Sequence, residues 1–178
     1  SYVGATQWLA AAAAPPALAA IAPTLSSDDY ADGWFYTDGV AELGFLATWC
    51  ASDLAPFEER WYDDPLRACD DLEGLARIAP WSSEWLSEGV DSDYWRSRSI
   101  AHRRDDLKVP SFVIAGWYDV FCDASLRSFA RSRHADDRLL VGPWGHDPLL
   151  SHLVGEANLG FEGSGVVADL FGTMLDFY

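Results

Sequence analysis

Lysine, methionine and cysteine are scarce in this sequence. Lys108 is the only lysine, methionine occurs once, and three cysteines stand among 178 residues. Cys50, Cys69 and Cys122 are odd in number, widely spaced and without a CxxC pair, so neither a disulfide framework nor a zinc site is expected. Buried free thiols are the simpler interpretation. The histidines also lack metal-ligand spacing, and we predict no metal and no other cofactor.

Basic charge and long apolar runs are scarce as well. The sequence contains 12 Lys and Arg residues and 28 Asp and Glu residues, which gives a net charge of -16. Phosphate binding needs clustered basic side chains, so this balance argues against a nucleic-acid partner. The alanine-rich start breaks at Pro15-Pro16, short of the roughly 18 apolar residues of a membrane span, and no basic flank precedes it as in a secretory signal. We expect no membrane association; the compartment stays open, with a cytoplasmic location favoured.

The apolar residues are numerous enough for the core of one domain, at 49% of the chain. They form short buried runs that alternate with amphipathic segments. The predicted strands are 18–23, 109–118 and 138–142, and the predicted helices beside them are 4–14, 124–133 and 166–178. The last helix is predicted to bury one face, composed of Val167, Leu170, Phe171, Met174 and Leu175. Strands alternating with helices predict an α/β fold with a parallel sheet.

The segment from about 30 to 107 has a different character. Trp, Tyr and acidic residues are frequent there, and helical pieces alternate with turns. One helix is predicted to begin at Asp64-Pro65, with Asp64 as N-cap and proline at the first helical position. Its apolar face would carry Leu66, Cys69, Leu72, Leu75 and Ala76. We predict that the segment 30–107 is a helical lid inserted into the α/β domain.

Three polar residues occupy loop positions that suit a catalytic site. Asp119 in GWYDVF and His146 in GPWGHD each follow a predicted strand, and Ser1 would do so if a strand preceded it. Parallel α/β folds build their sites at the C-terminal ends of strands. The order Ser, Asp, His is that of the α/β-hydrolases. A serine hydroxyl needs a histidine to accept its proton, and the histidine needs an acid to orient it.

A chain that begins with serine has a second interpretation. In N-terminal nucleophile hydrolases the free α-amine of the terminal residue acts as the base. Such enzymes need that residue at the start of a β-strand, whereas the small residues after Ser1 predict a helix. This alternative also does not explain the loops of Asp119 and His146. We therefore favour it less than the Ser-His-Asp interpretation.

Several motifs resemble those of a known family. SYVG at residues 1–4, followed by Thr6-Gln7-Trp8, resembles the second half of the GxSYxG nucleophile elbow of cocaine-esterase-like serine hydrolases. That family includes the α-amino-acid ester hydrolases and the X-Pro dipeptidyl peptidases. AIAP (20–23), AGWYD (115–119) and VGPWGH (141–146) resemble the next strand, the acid loop and the histidine loop. The resemblance extends from residue 1 to 178 and is loosest over the lid.

The resemblance implies a role for each motif residue. Ser1 would be the nucleophile, Asp119 the orienting acid and His146 the general base, and the backbone N–H of Tyr2 would be one oxyanion donor. The second donor in the family is a tyrosine hydroxyl upstream of the elbow, outside this sequence. The chain is therefore expected to be the C-terminal half of an α/β-hydrolase domain, with the N-terminal strands and a C-terminal jelly roll missing.

The resemblance also bears on the substrate, which would be a small-molecule ester. Trp34 and Trp49 fall where family members place lid tryptophans around the acyl group. Phe121, two residues after the acid, is also expected to contact the substrate. The α-amino-acid ester hydrolases grip a substrate ammonium with carboxylates just after the triad acid, and here those positions hold Phe121 and Cys122. An apolar or aromatic acyl group is therefore expected. Activity as an α-amino-acid ester hydrolase or X-Pro dipeptidyl-peptidase remains the alternative.

A non-catalytic role is the competing hypothesis. Without a preceding strand, the strand predicted at 18–23 would expose a sheet edge with which another chain could pair. The strain that lifts Ser1 out of the sheet would be lost too. On this hypothesis the chain has little turnover and self-associates.

Overall fold

A computed structural model describes residues 2–54, 61, 63–146, 149 and 151–178, the side chain of Asp53 excepted. Ser1 lies outside the described residues. The chain forms two compact units, a sheet unit (Ser1–Asp29 with Ser99–Tyr178) and an insertion unit (Tyr30–Arg98). The insertion unit falls within the segment 30–107 for which the sequence predicts a lid, and its action as a lid remains a prediction.

The described part of the chain is a mixture of helices and short strands. The α-helices are α1 (Tyr2–Ala13), α2 (Leu43–Trp49), α3 (Leu72–Ile78), α4 (Pro80–Ser87), α5 (Asp93–Arg98), α6 (Cys122–Ala130) and α7 (Leu170–Phe177). The strands are β1 (Tyr36–Thr37), β2 (Val40–Ala41), β3 (Phe112–Gly116), β4 (Arg138–Gly142), β5 (Leu153–Val154) and β6 (Ala157–Asn158). A π-helical turn spans Cys50–Leu54, and 3-10 turns span Pro65–Asp70, Ile100–Asp106 and Phe161–Gly163. Within the described ranges, no helix combines the length and apolar character that crossing a bilayer requires.

The sheet unit is built on the parallel pair β3–β4. Phe112 pairs with Arg138 at one end and Gly116 with Gly142 at the other, with no register slip between them. The helix α6 connects the two strands and packs against β3. The predicted parallel pairing is therefore present, and β4 has the predicted bounds.

Strand β3 buries side chains on both of its faces, because successive residues of a strand point to opposite sides. Val113 packs into one apolar cluster, which contains Trp8, Ala11, Ile21 and Ile100. Phe112 and Ile114 pack into the other, which contains Ala22, Trp144 and Leu170. Helices therefore cover both faces of β3, as in α/β folds generally.

The segment predicted as a strand at 18–23 is extended but irregular. Its one parallel bridge joins Ile21 to Ser111, and the next bridge, Thr24 to Ile114, lies one residue beyond the predicted end. Proline is the physical reason, because Pro23 lacks an N–H at the position between these bridges where a ladder needs a donor. The prediction of a regular strand is wrong here. Self-association through this edge remains a prediction.

Strand β3 and helix α6 differ from their predicted bounds. The strand covers 112–116 instead of 109–118, because the chain turns after Gly116: the Asp119 N–H donates back to the Gly116 carbonyl at 3.1 Å. The helix covers 122–130 instead of 124–133. The shortened strand leaves residues 117–120 free to form the turn that carries Asp119.

The last helix is shorter than its amphipathic pattern predicts, and its buried face differs. It begins at Leu170 instead of Val166, because Asp169 in a left-handed conformation (φ 47°) caps it by accepting a hydrogen bond from the Gly172 N–H. Leu170 is buried and Met174 packs on the core, but Phe171 and Leu175 are 59% and 74% exposed. Val167 precedes the helix and is exposed as well. The predicted apolar face is therefore wrong at these three exposed positions.

The helix predicted from Asp64 is two segments. Pro65 does occupy the first helical position, but the first segment is a 3-10 turn that ends at Asp70. The Asp71 carboxylate then accepts a hydrogen bond from the Gly74 N–H at 2.8 Å and begins α3. An aspartate that bonds the backbone locally favours helix starts over helix interiors, which explains the break.

Aromatic rings form the core of the insertion unit. Phe35 stacks on Trp85 with ring centroids 4.4 Å apart, and Trp34 lies 5.3 Å from Trp49. The Tyr36 hydroxyl donates to the Trp85 carbonyl at 2.9 Å. Tilted and offset ring pairs of this kind add to the free energy gained from burial alone.

The buried carboxylate of Asp28 contacts several polar side chains of the sheet unit. Its Oδ1 accepts hydrogen bonds from the Ser128 hydroxyl at 2.7 Å and Arg131 Nη1 at 2.9 Å, and Arg104 Nε lies 3.5 Å from Oδ2. The Arg104 guanidinium also stands over the Trp8 ring, 4.3 Å from its centroid. Burial lowers the pKa of Arg104, and the Asp28 charge counteracts that effect.

The backbone of Asp28 also connects the two points at which the chain leaves and re-enters the sheet unit. The Asp28 carbonyl accepts hydrogen bonds from the N–H groups of Ile100 (2.8 Å) and Ala101 (3.0 Å). The Ser99 hydroxyl donates to the Asp29 carboxylate at 3.1 Å. The two ends of the insertion therefore lie side by side, and these hydrogen bonds help to offset the entropy cost of bringing them together.

We expect Asp28→Asn to lower the free energy of unfolding by about 3 kcal/mol, because it removes the anion that two guanidinium groups face. Urea unfolding followed by fluorescence measures the change. Asp106→Asn is the matched control, since its carboxylate pairs with Arg103 on the surface and both side chains are exposed. Equal effects of the two substitutions would contradict a central role for Asp28.

Candidate active site

Asp119 lies in the tight turn that follows β3. Its side chain is fully buried, and its Oδ1 accepts a hydrogen bond from the Phe121 N–H at 2.7 Å. The Asp119 carbonyl accepts another from the Cys122 N–H at 3.0 Å, where α6 begins. The backbone on both sides of Asp119 therefore holds the carboxylate in one orientation.

His146 lies in the loop that follows β4, and Trp144 anchors this loop. The Trp144 indole is buried and donates its N–H to the Gly163 carbonyl at 3.0 Å. The Trp144 carbonyl accepts a hydrogen bond from the Tyr118 N–H at 3.0 Å. This last bond ties the loop of His146 to the turn of Asp119.

The two loops bring His146 and Asp119 into direct contact. The Nδ1 atom of His146 lies 2.6 Å from Oδ2 of Asp119. The imidazole is 36% exposed, whereas the carboxylate is fully buried. A carboxylate at Nδ1 favours the tautomer with the proton on that nitrogen, so Nε2 is the atom left to accept a proton from another group.

Phe121 supports both members of this pair. Its ring is 2% exposed and lies against the imidazole of His146, with centroids 5.4 Å apart. Its N–H is the donor to Asp119 described above. Sequence reasoning missed this supporting role, and the expected contact of Phe121 with a substrate remains a prediction.

Two glycines allow the close approach of the two loops. A Cβ atom on Gly142 would stand 2.5 Å from the Trp144 ring. A Cβ on Gly116 would collide with the Trp144 carbonyl, a backbone atom that cannot turn aside. The sequence contained a signal for only one of these contacts, since Gly142 precedes Trp144 by two residues in GPW, whereas the tryptophan that follows Gly116 is Trp117, which is exposed.

The remaining predicted site residues lie elsewhere in the chain. Ser1 lies outside the described residues. Tyr2 is the first residue of α1, where backbone N–H groups have no partner within the helix. Trp34 and Trp49 belong to the insertion unit, and Trp34 is 6% exposed. Their expected contact with a substrate remains a prediction.

Cys122 is the one thiol beside the candidate site among the described residues. Burial raises its pKa, and the neighbouring charges of Asp119 and Asp123 raise it further. A thiol with a raised pKa stays protonated at neutral pH and is a poor nucleophile. Cys122 therefore does not compete with a serine for the nucleophilic role.

Comparison with known proteins identifies the family. Residues 1–148 match the model of the X-Pro dipeptidyl-peptidase (S15) family. The chain is 33% identical over 174 residues to the cocaine esterase of Rhodococcus sp. (strain MB1 Bresler), an alignment that covers 84% of this chain and 30% of that enzyme. The chain belongs to the S15 family of hydrolases. Within that family it is of the CocE/NonD type.

Solved structures share the fold. A CocE/NonD family hydrolase from Staphylococcus aureus aligns with a TM-score of 0.63 and 18% identity, over 99% of this chain and 27% of that one. A selenomethionine-labelled α-amino acid ester hydrolase aligns with a TM-score of 0.54 and 19% identity, over 82% of this chain and 27% of that one. The chain spans under a third of the length of each of these relatives.

We expect Gly116→Ala to destabilise the protein by about 1–3 kcal/mol, because the new methyl group meets the Trp144 backbone. Chemical denaturation measures the loss. Gly89→Ala is the control, since nothing lies within 4 Å of a Cβ built there. If Gly116→Ala were as stable as Gly89→Ala, the tight contact between the two loops would be refuted.

We expect the alkylation of Cys122 by iodoacetamide to reach half its maximal rate at a higher pH than that of free cysteine. The raised pKa leaves less thiolate at any given pH. Peptide mass spectrometry across a pH series measures the rate for each thiol. Cys50 should react slowest, because it is fully buried and burial raises its pKa to about 11. Asp123→Asn should move the Cys122 midpoint downwards, and an unchanged midpoint would contradict the contribution of that charge.

Proposed function

We propose that the protein is a serine hydrolase that cleaves carboxylic esters through an acyl-enzyme intermediate. The observation that carries the proposal is the 2.6 Å contact between His146 Nδ1 and Asp119 Oδ2. This contact supports a Ser-His-Asp arrangement, because the chemistry needs an acid at Nδ1 to orient the histidine. Membership of a hydrolase family supports the same conclusion.

Ser1 is the proposed nucleophile. Its hydroxyl oxygen attacks the ester carbonyl carbon while His146 Nε2 takes the hydroxyl proton. The tetrahedral intermediate collapses, the C–O bond to the leaving alcohol breaks, and His146 returns the proton to that alcohol. Water then attacks the acyl-serine by the same route, with His146 as base, and releases the acid and free Ser1.

Asp119 and the start of α1 stabilise the charges that develop. The buried Asp119 carboxylate stabilises the imidazolium formed on His146 and keeps its ring oriented. The Tyr2 N–H, at the positive end of α1, donates to the oxyanion of the intermediate. The Asp119 carboxylate thus stabilises the positive charge on His146, and the Tyr2 N–H stabilises the negative charge on the oxyanion.

An apolar or aromatic acyl group is the proposed substrate feature. The residues that follow Asp119 are Val120, Phe121 and Cys122, none of which can hold a cation by charge. The next carboxylate along the chain, Asp123, is already paired with Arg127 at 2.8 Å. Trp34 and Trp49 are the proposed aromatic contacts from the insertion unit.

A second candidate is hydrolysis of α-amino-acid esters or X-Pro peptides. The names of the family and of one structural relative favour it. Both reactions need a group that recognises a substrate amine. The three substrate classes are distinguished by assay with an aryl ester, an amino-acyl ester with a free amine and an X-Pro anilide. We expect the aryl ester to have the highest kcat/KM.

We expect Ser1→Ala to lower kcat for an aryl ester by about 10⁶-fold and Asp119→Asn by about 10⁴-fold, with KM little changed. The asparagine presents an amide to His146 and so removes the charge that stabilises the imidazolium. Steady-state assays of the purified protein measure both effects. Asp123→Asn is the matched control and should keep parental kcat. Parental turnover by Ser1→Ala would refute the proposed function.

A further inference from the structure

Helix α1 packs against the irregular segment 21–26 through one face. Gly4, Trp8 and Ala11 on this face are buried. The approach is closest at Gly4, where a Cβ atom would stand 2.5 Å from Ser26 Cβ. The helix that begins immediately after Ser1 is therefore seated directly on the chain next to β3.

Gln7 makes two hydrogen bonds from this helix face to one backbone position. Its Oε1 accepts from the Ala22 N–H at 2.8 Å, and its Nε2 donates to the Ala22 carbonyl at 3.3 Å. The neighbouring residue Ile21 bonds on the other side, where its N–H donates to the Pro110 carbonyl at 3.1 Å. The Gln7 carboxamide thus takes the place of a neighbouring strand at Ala22.

Ala22 is in turn fixed relative to the candidate site. It lies between the two bridges that join Ile21 to Ser111 and Thr24 to Ile114. Strand β3 continues from these bridges to Gly116, three residues before Asp119. Hydrogen bonds of Ile21 and Pro23, the two neighbours of Ala22, therefore join the Gln7 contact to β3, and this strand leads to the turn of Asp119.

We propose that Gln7 is a positioning residue that holds α1 in register with β3, and thereby places Ser1 and the Tyr2 N–H opposite His146. This inference rests on the proposed function. Gln7 lies five residues after Tyr2, the first residue of α1, which is about 7.5 Å along a helix. A tilt or slide of α1 would move the start of the helix, and a displacement of about 1 Å at a reacting atom can lower a rate by about 10²-fold.

The contact is unlike ordinary helix packing in one respect. Apolar contacts such as those of Trp8 have no preferred direction, whereas a carboxamide bonded to both the N–H and the carbonyl of one residue favours one axial position of the helix. Its loss should therefore affect the geometry of the reacting groups more than the stability of the fold.

The test compares Gln7→Met, Gln7→Glu and Thr6→Ala in the purified protein. Methionine keeps the length of the side chain and loses both hydrogen bonds, whereas glutamate can keep only the bond from the Ala22 N–H. Thr6 is the matched control, because it is exposed on the same helix and its hydroxyl bonds only to the Val3 carbonyl within α1. Kinetics with an aryl ester, the rate of Ser1 labelling by a fluorophosphonate and hydrogen exchange at the Ala22 amide are measured.

We expect Gln7→Met to lower kcat per labelled active site and the labelling rate by about tenfold or more, with KM little changed. Gln7→Glu should fall between Gln7→Met and the parent, and Thr6→Ala should match the parent. The Ala22 amide should exchange faster in Gln7→Met. A merely structural role would lower the fraction of active sites and leave kcat per site unchanged, and that result would overturn the proposal.

The outcomes separate this proposal from the proposed function. If the parent is labelled at Ser1 and Gln7→Met reacts at the parental rate, the positioning role is overturned and the hydrolase function stands. If the parent is neither active nor labelled at Ser1, the hydrolase function fails. The proposal fails with it, because there is then no nucleophile to position, whatever the exchange rate at Ala22.

Discussion

The parallel register that sets Gly116 opposite Gly142 is the constraint on which the candidate site depends. Because the two strands end level, the turn of Asp119 and the loop of His146 start from the same edge of the sheet. The Trp144 indole and carbonyl then fill the space that side chains on the two glycines would need. The 2.6 Å contact between His146 and Asp119 is a consequence of this packing. A shift of one residue in the register would turn the side chains of one strand to the opposite face and separate the pair.

Buried charges at Asp28 hold the parts of the sheet unit together, just as the two glycines allow the two loops of the candidate site to pack together. Asp28 connects Arg104 and Arg131, and its carbonyl receives the chain as it returns from the insertion. Such a pair adds little net stability compared with a well-packed apolar core, because both charges lose their hydration. Its partners are specific, however, and only one arrangement satisfies them. The two ends of the insertion are therefore held next to each other.

The sequence predicted that Asp119 and His146 would meet, whereas several bounds of the elements around them were wrong; the other site residues stay predictions. The strand at 138–142 and the meeting of Asp119 with His146 follow from buried runs and from polar residues at strand ends, which are short-range patterns. The errors arise where one side chain overrides the local pattern. Pro23 removes a ladder donor, Asp71 divides a predicted helix, and Asp169 delays the last one. The support that Phe121 gives to the pair was not predictable, because it depends on a turn that brings its N–H back to Asp119.

The packing of Trp144 against two glycines has a consequence for how such sequences are interpreted. Gly116, Gly142 and Trp144 are required by sterics at the sheet edge, and none of them has a part in the proposed proton transfer. A relative that had lost its histidine or aspartate would still need the same glycines and tryptophan in order to fold. The glycines and Trp144 therefore indicate the architecture, and only the pair of His146 and Asp119 indicates the chemistry. A pseudoenzyme of this kind would keep the packing of the two glycines against the tryptophan and would lack the pair of His146 and Asp119.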